Sequence, residues 1–178
     1  MKILGLVGSP RKGSNTDLLV SAILEGTSSN SHLSEKLYLY DFDIAPCVDC
    51  RACKKGNYIC AIKDGMQTLY PKLEEADVII FGTPLYWYGP SAKMKLLIDR
   101  LRPFIESKGL KAEKAVLAIP SEEGAEACNL ATSMFALSFE YLGIEMAGKL
   151  TPKASERAEI KGQPQTLKEA LELGKDLK

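Results

Sequence analysis

Apolar and polar positions along the chain alternate between two rhythms: short unbroken apolar runs, and stretches with a three-to-four-residue repeat. Lys2–Gly8 is an apolar run closed by glycine, which predicts a strand buried on both faces. Ser14–Ser28 sets Leu18, Leu19, Ala22 and Ile23 at helical spacing, and Ser14 with Asp17 three residues on suits a capping box with Asp in place of Glu or Gln. Leu33–Tyr40 reads as a second strand. Asp64–Ala76 reads as a helix that Pro71 kinks or shortens. Asp77–Gly82 is the clearest central strand, and Pro90–Phe104 follows as a helix with Met94, Leu97, Ile98 and Leu101 on one side. Lys114–Pro120 is a fourth strand, Glu123–Leu142 an Ala-rich helix, Gly143–Leu150 a fifth strand and Gln165–Lys178 a terminal amphipathic helix. Strands alternating with helices predict one α/β domain over 1–178, with a five-stranded parallel sheet between two helix layers. The doubly wound order 2-1-3-4-5 suits five such strands and puts ligands at their carboxyl ends.

One stretch breaks the rhythm. Asp41–Lys63 has no periodicity, and a loop of that length in a compact domain is usually functional or disordered. Four of the five cysteines fall inside it, at Cys47, Cys50, Cys53 and Cys60, and with Tyr58 and Ile59 they argue against disorder. The C-x2-C-x2-C-x6-C spacing lets one loop wrap four thiolates around a single centre, as iron–sulfur clusters require. Structural zinc, which usually takes two cysteine pairs across a longer spacer, a disulfide and a metal-free redox loop remain open beside it. Cys128 stands alone in an apolar stretch and reads as a small buried hydrophobe.

Composition changes the picture in one respect. Lys plus Arg equals Asp plus Glu at 23 each, so no charge excess points to nucleic acid or an anionic membrane, and weak repulsion permits self-association. The opening apolar run is too short for a signal peptide and breaks at Gly8-Ser9-Pro10, and no window is long enough to span a membrane. The expectation is a cytoplasmic protein whose thiols stay reduced.

Two further constellations carry chemistry. Gly8–Thr16 lies between the first strand and the first helix, where unpaired N–H groups and the positive dipole end favour a phosphate. Ser9, Ser14, Asn15 and Thr16 can donate hydrogen bonds and Arg11 a charged fork. The spacing is neither a Walker A loop nor the dinucleotide fingerprint; a plain polar turn capped by Ser14 is the other reading. Gly82–Ser91 puts Tyr86, Trp87 and Tyr88 consecutively at the carboxyl end of the central strand, so at least one ring is expected to be exposed or stacked; a hydrophobic plug sealing the sheet end is the other reading. His32, the only histidine, reads as a solvated surface residue, and Asp99-Arg100 as a structural pair.

The segments Gly-Ser-Pro-Arg-x-Gly-Ser-Asn-Thr (8–16), Gly-Thr-Pro-x-Tyr (82–86) and Lys95-Leu96-Leu97-Ile98-Asp99-Arg100 resemble the NADPH-dependent FMN reductase family over roughly residues 1–150. With the cysteine run added, the chain is similar to the iron–sulfur flavoproteins of that family. The resemblance implies a flavodoxin-like fold and FMN, its phosphate in Ser9–Thr16, its ring against Pro84, Leu85, Tyr86, Trp87 and Tyr88, and Ser121, Glu122 and Gly124 near its pyrimidine end. It also implies a [4Fe-4S] cluster on Cys47, Cys50, Cys53 and Cys60, and a homodimer or homotetramer that brings the two centres together. The expected activity is electron transfer between FMN and the cluster, with NAD(P)H or ferredoxin as donor and no side chain acting as general acid or base. A cluster-free NAD(P)H-dependent FMN or quinone reductase is the alternative, and a non-catalytic binding module a third reading.

Overall fold

The computed structural model describes residues 1–28 and 32–177. Numbering only the strands of the main sheet, these are β1 (Lys2–Val7), β2 (Leu33–Tyr38), β3 (Val78–Gly82), β4 (Lys114–Ala118) and β5 (Glu145–Leu150). All pair in parallel, in the order β2-β1-β3-β4-β5. The helices are α1 (Asn15–Ser28), α2 (Met66–Glu75), α3 (Ala92–Asp99), α4 (Pro103–Ser107), α5 (Asn129–Leu142) and α6 (Pro164–Lys175).

Apart from Lys2 and Lys114 at their starts, the central strands β1, β3 and β4 carry no polar side chain, because each face of the sheet has its own core. Leu4, Leu6, Ile79, Phe81, Ala115 and Leu117 join a core with Met66, Leu69, Met94, Leu97, Phe135 and Phe139 from α2, α3 and α5. Their neighbours Ile3, Val7, Val78, Ile80, Val116 and Ala118 point the other way, into a core with Leu19, Val20 and Ile23 of α1 and Ala170 of α6. This two-residue alternation between cores defines the doubly wound arrangement. The α1 and α6 backbones touch at two glycines: a Cβ on Gly26 would lie 2.1 Å from the Leu171 carbonyl oxygen, and one on Gly174 2.0 Å from that of Ile23. Larger residues at either position would push the helices apart.

The sequence expectations need several adjustments. The helix expected over Pro90–Phe104 is two, because Pro103 cannot donate to the Asp99 carbonyl and opens α4 as its first residue. Pro71 lies inside α2 without ending it. The helix expected from Glu123 starts at Asn129, after turns over 122–128, and ends at Gly143, whose φ of +76° is a left-handed cap. The fifth strand therefore begins at Glu145, and a register shift at Ala115/Val116 marks a bulge between β4 and β5. The last helix runs Pro164–Lys175; its expected end, Lys178, lies outside the described residues. His32 is half-buried rather than solvated, with Nδ1 3.4 Å from the Met1 amino group and Nε2 3.3 Å from the Leu177 carbonyl. Among the described residues no helix is long and apolar enough to cross a membrane.

Candidate functional site

The loops after β1, β3, β4 and β5 meet at the carboxyl edge of the sheet, and short backbone bonds lace them together. Gly8 N–H donates to the Gly82 carbonyl (2.7 Å), Thr83 N–H to Ala118 (3.0 Å) and Ile119 N–H to Leu150 (2.8 Å). Ser91 caps α3 by accepting from Met94 N–H, and its own hydroxyl donates to the Gly8 carbonyl. Ser121 is tied to the loop after β5 on both sides: its N–H donates to Pro152 (3.1 Å), and its carbonyl accepts from Ala154 N–H (2.8 Å).

These ties enclose a cavity of about 310 Å³ lined by Ser9, Arg11, Ser14, Asn15, Thr16, Pro84, Leu85, Tyr86, Pro120, Ser121, Glu122, Ala154 and Ser155. Ten of the thirteen cofactor-site positions expected from the sequence line this one space. Trp87 and Tyr88 instead line an adjoining cleft of about 250 Å³ with Leu85, Ser121, Glu122, Glu123 and Ala127. Gly124 lines neither; its N–H donates to Ser121 Oγ at 2.9 Å, which shapes the turn. Pro120 opens the loop over 120–124 that converges on this edge, whereas Ala154 and Ser155 were not expected. Their sequence signal is slight, small residues just past strand five.

At the phosphate-type end, Ser9, Ser14 and Thr16 are almost fully buried in the cavity wall and Arg11 is exposed at its rim. Three hydroxyls, a guanidinium and the N-terminus of α1 form a donor set that fits a phosphate. Asn15 lines the cavity and also reaches across the fold: its Nδ2 donates to the Glu156 carbonyl (2.8 Å) and its Oδ1 accepts from Ile160 N–H (3.2 Å). It pins the loop after β5 against α1. Asp17 steadies the turn from below, accepting from Gly13 N–H (2.7 Å), Lys36 Nζ (2.7 Å) and Tyr38 Oη (3.0 Å). Burial pushes its carboxyl upward, but the bonds from Lys36, Gly13 and Tyr38 outweigh this and hold it below the usual carboxylate range.

At the other end, Leu85–Tyr86 and Gly89–Pro90 form a two-stranded hairpin turned by Trp87 and Tyr88 alone. Both turn residues have positive φ, +50° and +60°, and the Trp87 side chain is 98% exposed. An indole held so far into solvent has no packing role in this chain.

The cysteine segment follows β2 at the same edge. It carries only a 3-10 turn, Ala52–Lys54, and left-handed residues at Asp49, Arg51 and Tyr58. Cys53 and Cys60 are buried, Cys47 half-buried and Cys50 exposed; all four are free, as is fully buried Cys128, the small hydrophobe expected. Burial pushes the Cys53 thiol up, and Cys60 and Cys47 nearby add to it against the Arg102 charge. Among the described residues, however, no three His, Cys, Asp or Glu side chains are gathered as a metal set. The ligand types suit a cluster, but the loop is not folded into a cage for one. Asp99 and Arg100 are structural, as expected: Asp99 pairs with Lys95 (2.6 Å) and Arg100 with buried Asp64 (2.7 Å).

Comparisons with known proteins agree with this geometry. The sequence profile described as NADPH-dependent FMN reductase matches residues 1–146. An iron–sulfur flavoprotein of Methanocaldococcus jannaschii is 41% identical over 58% of this chain and 53% of its own length. One of Methanosarcina thermophila is 37% identical over 56% and 52%. The chain thus matches about half the length of these curated relatives. Among solved structures, an NAD(P)H:quinone oxidoreductase from Methanothermobacter marburgensis has a TM-score of 0.75 at 21% identity, over 100% of this chain and 99% of that one. A flavodoxin from the domain Archaea has a TM-score of 0.61 at 17% identity, over 99% and 96%. At these identities the structural likeness establishes the flavodoxin-like fold.

Proposed function

Because this chain belongs to the NADPH-dependent FMN reductase family, we propose that it binds FMN in the 310 Å³ cavity and acts as an FMN-dependent oxidoreductase with a nicotinamide donor. The observation that carries this reading is the meeting of a phosphate-type donor set and an aromatic hairpin in the walls of adjoining spaces. When bound, FMN supplies electron uptake in pairs or singly. The chain binds and orients it. Ser9, Ser14, Thr16, Arg11 and the first N–H groups of α1 hold the phosphate, with Asn15 keeping the loop after β5 in place. Pro84, Leu85, Tyr86, Trp87 and Tyr88 would lie against the ring, with Ser121 and Glu122 of the Ser121–Gly124 turn near its pyrimidine end. No side chain acts as general acid or base.

We further propose that Cys47, Cys50, Cys53 and Cys60 carry a [4Fe-4S] cluster, making the chain an electron-transferring iron–sulfur flavoprotein. Two facts support this: the compact spacing of the four cysteines, and relatives that bear that name. The thiols must then draw together on loading, since they are not gathered beforehand. A cytoplasmic homo-oligomer fed by NAD(P)H or ferredoxin is the matching setting.

Flavin titration of the Arg11→Ala variant tests the cavity. Affinity for FMN falls by about 1.5–3 kcal/mol, the range for a charged hydrogen bond, while affinity for riboflavin holds; an equal loss for both flavins would put the phosphate elsewhere. Iron and acid-labile sulfide assays after anaerobic purification test the cluster. FMN with zinc, or with no metal after reconstitution, leaves the cluster-free reductase.

A further inference from the structure

The hydrogen bonds that tie the cysteine loop to the body lie mostly at its ends, while Cys53 in its middle is buried by packing. Ala45, two residues before Cys47, is bound through both sides of its backbone: its N–H donates to Asp64 Oδ2 (2.8 Å) and its carbonyl accepts from Arg100 Nη1 (2.8 Å). Four residues after Cys60, Asp64 accepts from Arg100 through both oxygens (2.7 and 3.1 Å) and from Met66 N–H (3.0 Å). One guanidinium–carboxylate pair therefore joins positions 19 apart in sequence. Its members are 1% and 8% exposed, so water does not compete for these bonds. Tyr70 Oη donates to the Arg100 carbonyl (2.9 Å), fixing the clamp to α2. Between Cys47 and Cys60, among the described residues, the backbone bonds are local turns and the side-chain ion pair to the body is the exposed Asp49–Arg102 pair.

We propose that Arg100 and Asp64 are positioning residues that clamp the two ends of the cysteine loop and so fix where Cys47, Cys50, Cys53 and Cys60 can meet. The clamp ties both ends of the loop and leaves its middle to packing alone, which accords with four cysteines that are not gathered, two of them buried, one half-buried and one exposed. A bidentate fork suits the task because it sets direction as well as distance, which a lysine cannot reproduce. What the thiols hold rests on the cluster reading above; the clamp itself does not.

The test uses FMN-loaded, iron-free protein, with iodoacetamide as probe and mass spectrometry as readout. In Asp64→Asn and Arg100→Gln, Cys53 and Cys60 alkylate about tenfold faster or more, because local opening governs their access. Arg100→Lys falls between these and wild type, while the Cys128 rate and FMN affinity stay at wild-type values. Wild-type alkylation rates at Cys53 and Cys60 in these variants would overturn the clamp. Should the variants not fold, hydrogen exchange of the wild-type protein decides: the clamp requires the Ala45 amide to exchange far more slowly than those of residues 49–56, and equal rates would overturn it. The iron and sulfide assay of the wild-type protein judges the cluster separately, so the two ideas fail independently.

Discussion

Asp17, one turn into α1, gathers Gly13 N–H, Lys36 and Tyr38 around a carboxylate that is only 5% exposed. A carboxyl whose folded pKa lies below its unfolded value of about 3.9 contributes stability above that value and loses it as pH falls through the folded pKa. Asp17→Asn is therefore expected to weaken the fold by about 1–3 kcal/mol at neutral pH. It should also flatten part of the decline below about pH 4. Urea unfolding across pH 2.5–7 checks both, and an unchanged acid slope would show that Asp17 does not drive it. The same turn marks how far single residues can be read from sequence. That Ser9, Ser14 and Thr16 line the cavity was legible because hydroxyls at a strand-to-helix turn have few uses other than capping or anion binding. The tie that Asn15 makes to Glu156 and Ile160 was not legible, because these partners lie more than 140 positions away and leave no local trace.

The aromatic hairpin is the element in which local preference and observed geometry disagree most. A two-residue turn with positive φ at both positions is the one that Asn-Gly favours, yet Trp87 and Tyr88 occupy it. Left-handed backbone costs a residue with a side chain about 1–2 kcal/mol. Replacing Trp87-Tyr88 by Asn-Gly should accordingly raise the urea midpoint while weakening flavin binding. A lowered midpoint would mean the rings stabilise the fold. Three consecutive aromatics advertised at least one exposed ring; all three are exposed, and that Trp87 is the most so follows from the turn type, which the sequence does not show. The break between α3 and α4 was hidden in the opposite way: the apolar spacing of Met94, Leu97 and Leu101 runs straight up to Pro103, although the helix has already ended.

Across the whole molecule, strand order was legible because β1, β3 and β4 are near-continuous apolar runs that only a doubly covered parallel sheet can bury. The lacing of the carboxyl edge was not, because backbone bonds such as Ser121 to Pro152 depend on the loops' paths rather than on residue type. The Arg100–Asp64 clamp escaped for a related reason: two charges 36 positions apart resemble any surface pair until both are found buried. That edge also has an optical consequence. The chain contains a single tryptophan, and it is the exposed residue at the tip of the hairpin. Its fluorescence should therefore resemble that of free indole in water and respond to one place only. Added FMN should quench it, whereas a second copy covering the hairpin should shift it to shorter wavelength as concentration rises. One emission spectrum would then distinguish cofactor loading from self-association, without a label.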